Sequence, residues 1–544
     1  MGEIKFKKKT LVEAINTTLQ ETEQTAAEQS VATPGGRFHV RWDEGGSATA
    51  LGQLPFFAEF LEVSGLFARW VDGCPMDYTS PNAPKVVDVL GTWLLSILDG
   101  QRRYAHVSGL RGDEVAPRIL GMNKIISDES LRRALAHLAP APCKYDSEEE
   151  RAARAIQLAK STAWMDKALS ESTQESLRTP WILDADTTVK LLYGHQAGAE
   201  IGYNPTKPGR PSHTLHTYWI GNIRLVLDVE VQSGKASAAK HSLPRLCQLI
   251  EGLSPEERPA LVRGDSAFGN EGVMAEMERT EQHYLFKLRQ TAGVKRLIER
   301  QWQQGDWQNV DQGFDAVEGK LRLTGWSSAR RVVVLRRRIR NSMAIAETSN
   351  ESQQTALQFI DHSDKVKLWE YAVLVTNTDY SLEAVGQLYR DRADCENGFD
   401  ELKNQWGWGG YTTHDLERCN LSARAVALIY NWWSWYVRLA HPKTRLEAIT
   451  SRPMLLSGIA RLTQHAGQSR LLLTLTHAAG DHIKSMIANI RKGLDHVLAS
   501  APQLTKADRW GVLARYIINK IIATRPENSQ LLASPPSSLP IGAT

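Results

Sequence analysis

Apolar residues recur at helical spacing through the first third of the chain. Phe56, Phe57, Phe60, Leu61, Val63, Leu66 and Phe67 form one such run, and Val86 to Leu98 another; both predict helices, and the region 37–175 reads as mostly helical. Residues 1–36 are polar, rich in lysine at the start, and close on Thr33-Pro-Gly-Gly36, which predicts a mobile basic arm. From Trp181 the pattern shortens to that of strands. Strands are expected at about 180–187, 214–221 and 223–232, a helix at about 238–253, a strand ending near Asp265 and another over 283–289. The stretch 290–366 is β-rich, with Gly319 to Trp326 and Arg330 to Leu335 as its clearest strands. Leu368 to Asn377 makes a further strand, followed by a helix starting near Ser381, whose Ser-x-Glu is one residue short of a capping box. Ala423 to Trp433 is apolar on most faces and should pack under a sheet. The region 441–525 reads as helical, with His477 to Arg515 a candidate for pairing protomers, and the Ser/Pro-rich tail 526–544 as disordered.

Composition adds bounds. At 544 residues the chain should hold two to four domains, and 42% hydrophobic with 23% charged residues is ordinary for a globular protein. The net charge of +4 argues little for nucleic acid. Its distribution argues more: between Leu288 and Ile345 stand 12 Lys+Arg against 5 acids, an excess of 12 − 5 = +7. Arg336 and Arg338, on the basic strand Arg330–Arg340, are the candidates there for phosphate contact, since alternation turns only half of that strand one way. The five cysteines are scattered without metal-ligand spacing, which points to a reducing cytosol rather than structural zinc. No signal peptide or apolar run near 18 residues appears, so no membrane partner is expected.

The most informative stretch is Tyr389 to Lys403. Tyr389, Arg392, Glu396 and Lys403 stand at offsets 0, 3, 7 and 14, which on one helix fall within about 60° of arc and span about 20 Å. A carboxylate flanked by cations suits a metal ion beside a phosphate backbone. A solvated face of ion pairs is the competing reading, because Asp391, Asp394, Asp400 and Glu401 also lie here. Upstream, Trp181 to Val189 is an apolar strand running into Asp184 and Asp186, which share a face and are not separated by alternation. Ala260 to Gly269 is a second apolar run stopped at Arg263-Gly264-Asp265-Ser266. Another Arg-Gly-Asp, at 111–113, sits among helices, where Asp113 is most simply a helix cap.

Tyr-x2-Arg-x3-Glu-x6-Lys resembles the signature around the last acid of bacterial insertion-sequence DDE transposases, matched at all four positions. The resemblance extends to Asp186 followed by Thr187, which selects Asp186 over Asp184, and to Arg263-Gly-Asp-Ser266 with its aromatic Phe268. It covers roughly 105–475. It implies an α/β RNase H-like core in two parts, 176–289 and 367–440, interrupted by a β-rich insertion domain at 290–366. Asp265 lies 79 residues beyond Asp186, and Glu396 lies 131 beyond Asp265. It also implies that Asp186, Asp265 and Glu396 hold two Mg2+ ions (Mn2+ substituting), about 3.5–4 Å apart, while Tyr389, Arg392 and Lys403 orient DNA-end phosphates. The partners would be inverted-repeat ends and target DNA, the assembly a homodimer, and the place of action the cytoplasm at the nucleoid. The N-terminal region would bind ends, where Ile119 to Leu135 reads equally as a helix-turn-helix or as part of a bundle. Trp302, Trp307 and Trp326 are candidates to hold a flipped base, with core packing the commoner role. Tyr193-Gly-His195-Gln196 and Gly202-Tyr-Asn204-Pro resemble strings found in a subset of the group. The rivals are a stand-alone RNase H-like nuclease and a DNA-binding protein that has lost catalysis. A carboxylate-pair glycosidase explains neither the cations of the signature nor the basic segment.

Overall fold

A computed structural model describes residues 28–41, 47–78, 80–204, 207–339, 368–411, 413–474 and 477–524. The expected arm up to residue 27 and the tail from 526 lie outside these. Residues 28–41 form a two-stranded hairpin, Glu28–Thr33 with Gly36–Arg41.

Nine strands make one mixed sheet. β1 (Ile182–Leu191), β2 (Ser212–Ile220) and β3 (Leu225–Ser233) form an antiparallel meander. β4 (Leu261–Gly264) adds to β1 in parallel, and β5 (Tyr284–Lys287) adds to β4 in parallel. The crossovers are helical, as parallel pairing requires: α1 (Ala238–Glu251) links β3 to β4 and α2 (Glu271–Arg279) links β4 to β5. The resulting order β3-β2-β1-β4-β5 is the RNase H-like core. β1 runs five residues past Asp186, because Thr187, Thr188 and Val189 suit a strand and keep pairing with β2.

Among the described residues, the β-rich segment builds no sheet of its own. After helix α3 (Ala292–Gln304), the strands β6 (Gln308–Asn309), β7 (Phe314–Leu321) and β8 (Arg330–Ile339) join the core sheet through β9 (Leu368–Thr376), which pairs antiparallel with β5. The run Val332-Val-Val-Leu335 explains this placement. All four are fully buried, alternately against the two faces of the sheet, as a central strand demands.

Helices α4 (Leu382–Asp391) and α5 (Ala393–Gln405) carry the signature, with Ser381 capping the first through the N–H of Ala384. The expected single helix is broken at Arg392. There the N–H of Arg392 turns to Tyr389 O (3.3 Å) and that of Cys395 to Arg392 O (2.9 Å), a tightened turn in place of the i→i+4 ladder. The four signature residues therefore do not form one straight row.

Helix α6 (Leu416–Ala440) lies under the sheet. The N-terminal helices wrap onto it: Trp70 stacks on Trp164 at 5.5 Å and meets Trp432 edge-on at 5.6 Å, and one apolar cluster joins Phe57 and Trp93 to Leu183 and Tyr430. In the helix-turn-helix candidate, Ser127 caps Asp128–Leu138, whose Leu131, Ala134, Leu135 and Leu138 are buried, while Arg132 and Arg133 are exposed. Asp113 accepts from the N–H groups of Val115 and Ala116 (2.9 and 2.8 Å), the cap expected of it.

Asn431, fully buried on α6, ties that helix to the sheet. Its Oδ1 accepts from Val226 N–H at 2.9 Å, and its Nδ2 donates to Val226 O at 2.8 Å and to Ser172 Oγ at 3.1 Å. Asn431→Leu strands these buried groups, at a cost of about 3 kcal/mol. The expected result is a melting temperature lowered by a few degrees in differential scanning fluorimetry; an unchanged melting curve would count against the role of this tie.

Candidate active site

Two parallel strands set the first pair of carboxylates. The β1–β4 ladder pairs Asp184 with Arg263 and Ala185 with Gly264, so one rung further Asp186 stands beside Asp265, with strands about 4.8 Å apart. Asp184 and Arg263 are separated by 79 residues, as are Asp186 and Asp265. The two candidate aspartates of the first motif now part. Asp184 is buried and held by both arms of the Arg263 guanidinium, at 2.6 Å each, whereas Asp186 reaches partial exposure at the next position on that face. Gly264 allows the chain to fold back after β4, since a Cβ there would lie 2.8 Å from that of Phe268. Asp265 Oδ1 accepts from the Ala267 N–H at 2.9 Å.

The kink between α4 and α5 brings in the rest. Arg392 is nearly buried and makes a close ion pair with Asp186 Oδ2, while its other arm reaches Glu396 Oε1 at 3.4 Å. Glu396 is itself mostly exposed. One guanidinium thus bridges the first and third acids, and it feels Asp265 as well. Burial drives the Asp186 carboxyl upward; Arg392 and the Thr187 N–H oppose this, the neighbouring Asp265 and Glu396 reinforce it, and the net position is about 7. Lys403 is half-buried within electrostatic reach of Asp186, and burial lowers its pKa. Tyr389 instead packs against the apolar cluster of Val385 and Leu388.

The donor set suits a divalent cation: three carboxylates supply hard oxygens, and a cationic group already spans two of them. In this conformation Arg392 stands between them, and among the described residues no three His, Cys, Asp or Glu side chains close around one point. Asp186, Asp265 and Glu396 are the residues that would hold the ion once Arg392 turns away.

The basic strand is largely neutralised from within. Arg330 pairs with Glu271 and Glu278, Arg331 with Glu318, and Arg337 with Glu370. Arg336 pairs with Asp315 at 3.0 Å and lies over the rings of Trp307 and Trp369, at 4.0 and 4.5 Å. Arg338 is exposed. Trp326 is buried, and Trp302 and Trp307 pack partly buried against the core. His195 is exposed in the β1–β2 connection, near Tyr193, whose ring is flanked by Lys207 and Arg210.

A sheet in this order, with one carboxylate on its first strand, one just past the end of its fourth and one on a following helix, defines the RNase H-like class of nucleic-acid-processing folds. The chain belongs to the DDE transposase family, whose model described as "Transposase DDE domain group 1" matches residues 44–494; its members are nuclease and strand-transferase enzymes that use divalent metals. A solved structure of piggyBac transposase, in a synaptic complex with hairpin DNA, aligns at 10% identity with a TM-score of 0.37, covering 88% of this chain and 86% of that chain. No curated protein sequence matches.

Arg263 and the buried role of Asp184 are absent from the sequence-based site; the equal 79-residue spacing of the two pairs was the available signal. Because Asp186 holds its proton up to about 7 when folded but only to about 3.9 when unfolded, the folded state binds more protons in between. Its contribution to stability is therefore present at low pH and is lost as pH rises through that window. In chelator-treated samples, the melting temperature of Asp186→Asn minus that of the wild type should climb between pH 4 and 7 and then level off. A difference constant with pH would contradict the raised carboxyl.

Proposed function

We propose that this chain is the cut-and-paste transposase of a bacterial insertion sequence, of the Tyr-Arg-Glu-Lys signature group. The observation that carries the reading is the juxtaposition of Asp186 on β1 with Asp265 just past the end of the adjacent parallel strand β4, with Glu396 joined to Asp186 through Arg392. Bound Mg2+ would supply activation of the attacking oxygen and stabilisation of the leaving oxygen of a phosphodiester. Asp186, Asp265 and Glu396 hold that charge in place. Arg392, on leaving Asp186, presents a fork suited to an end phosphate, and Lys403 adds a second positive charge along the same path. Tyr389 supports the packing of α4, from whose end Arg392 is projected, while Lys403 extends from α5. Hydrolytic nicking followed by attack of the freed 3′-hydroxyl on target DNA needs no protein nucleophile. Two ends must be held at once, which favours a homodimer acting on inverted-repeat DNA in the cytoplasm, at the nucleoid. The rival nuclease shares the carboxylates but has no use for paired ends.

The discriminating experiment is plasmid excision with Asp265→Asn. Loss of excision with retained end binding is expected, and wild-type-like excision would remove the mechanism; cleavage without joining would favour the stand-alone nuclease. For the phosphate path, Lys403→Ala should weaken end-DNA binding alike across sequences and reduce the slope of log K against log salt by about 1. An unaltered slope in a fluorescence-anisotropy salt series would place Lys403 away from the backbone.

A further inference from the structure

We infer that Arg263 is the positioning residue of this site: a single buried guanidinium that fixes β1, the end of β4 and the end of α4 relative to one another, and with them the chain segments that lead into the three carboxylates. The inference rests on the reading of Asp186, Asp265 and Glu396 as the metal-holding set.

All three guanidinium nitrogens of Arg263 donate a hydrogen bond. Nε and Nη2 donate to the two oxygens of Asp184 on β1, both at 2.6 Å, and Nη1 donates to Leu388 O on α4 at 2.5 Å. Arg263 and Asp184 are 2% and 1% exposed. A short step along the chain from each contact stands a carboxylate: Asp186 is two residues after Asp184 on β1, Asp265 two after Arg263 and just past the end of β4, and Glu396 eight after Leu388, beyond the kink on α5. Two residues along a strand return to the same face, so Asp186 shares the face of β1 that carries the clamp, one repeat further on.

The bond to α4 is as specific as the pair. The Leu388 carbonyl would normally accept the N–H of Arg392, but that N–H turns to Tyr389 O at the kink. Arg263 takes the orphaned carbonyl and so stabilises the break that swings Arg392 toward Asp186. No slack surrounds the clamp, since a Cβ at Gly221 would collide with the Asp184 carboxylate and lie 3.0 Å from Arg263 Nη2. Holding two strands together does not call for this arrangement. A buried ion pair is often no more stabilising than apolar residues of the same volume. What a planar fork adds is geometry: it accepts one register of β1 against β4 and one placement of the helix end. Groups behind metal ligands that orient them typically change metal affinity or activity 10–100-fold.

The test compares the wild type with Arg263→Lys, which keeps the charge and loses the fork, and with the double variant Asp184→Leu/Arg263→Met, which removes both buried charges and the bond to Leu388. Each full-length protein is assayed for melting temperature, for Mn2+ affinity from the electron paramagnetic resonance signal of free Mn2+, and for cleavage of end DNA. For variants that remain folded, Mn2+ affinity should fall at least tenfold and kcat with it, while KM for DNA stays near the wild-type value. A folded variant whose Mn2+ affinity and cleavage stay within twofold of wild type overturns the inference. So does failure of both variants to fold, which would make the pair an element of stability alone. If the wild type binds Mn2+ in an Arg263-dependent way but never cleaves end DNA, the proposed function falls while the positioning role stands. If Asp265→Asn binds Mn2+ as the wild type does, the carboxylate assignment fails, and the inference fails with it.

Discussion

Two parallel strands buried on both faces have little in their side-chain pattern to fix how far one slides along the other, because apolar residues follow one another whichever way the register falls. β1 and β4 meet that difficulty at Ile182, Leu183, Leu261 and Val262, all fully buried. The Asp184–Arg263 pair resolves it, since a slip of one residue would turn either charge toward an apolar face with no partner. Leaving one such charge uncompensated costs several kcal/mol, more than the sliding of equivalent aliphatic contacts could return. The placement of Asp186 beside Asp265 inherits this constraint, and so does the reach of the signature helix.

The same carboxylates are held at an electrostatic disadvantage. Asp186 is withdrawn from water, and the neighbouring Asp265 and Glu396 add repulsion, which together outweigh the guanidinium and backbone N–H that face it. Arg392 is the local answer in the conformation described here, bridging Asp186 and Glu396. A divalent cation carries twice its charge at a smaller radius and would relieve the same repulsion more fully, so on the proposed reading cation and guanidinium would compete for one position. That competition would let Arg392 face the acids when alone and an end phosphate when displaced. A charged residue fixed on the outer face of an unbroken helix would have no such choice.

Much of this was legible in the residues. Apolar periodicity located β1 to β5 and α1 to within a few positions, and found the middle of the buried α6, because each carries a strong apolar pattern bounded by polar or turn residues. The resemblance at Tyr389 to Lys403, with the strand contexts of Asp186 and Asp265, pointed to three acids, and in the fold Asp186 lies within electrostatic reach of both Asp265 and Glu396. What was not legible depends on pairing. Alternation left Asp184 and Asp186 equivalent, and only the partner strand, with Arg263 at the matching rung, distinguishes them. The kink at Arg392 follows from contacts with β1 and β4, whereas local helix preference runs straight through it. The β-rich segment was visible as strands, but nothing local says that β9 will pair with β5 and fuse those strands to the core sheet.

Charge shows the same limit most sharply. An excess of seven positive residues over 288–345 invites the reading of a nucleic-acid face, yet β8 sits inside a sheet whose neighbours carry matching acids. Arg330 answers Glu271 and Glu278 from α2, Arg331 and Arg336 answer Glu318 and Asp315 from β7, and Arg337 answers Glu370 from β9. Two of these acids, Glu271 and Glu278, lie outside the window in which the excess is counted, and so does Glu370. A local sum of charges therefore measures a surface only when the segment is paired with nothing else; for a strand in mid-sheet the partners recruited across the ladder decide what remains for solvent. Arg336, between two indole rings and a carboxylate, illustrates the outcome. Its charge is used to hold β7, β8 and β9 together, whereas Arg338, two residues on, stays exposed to solvent.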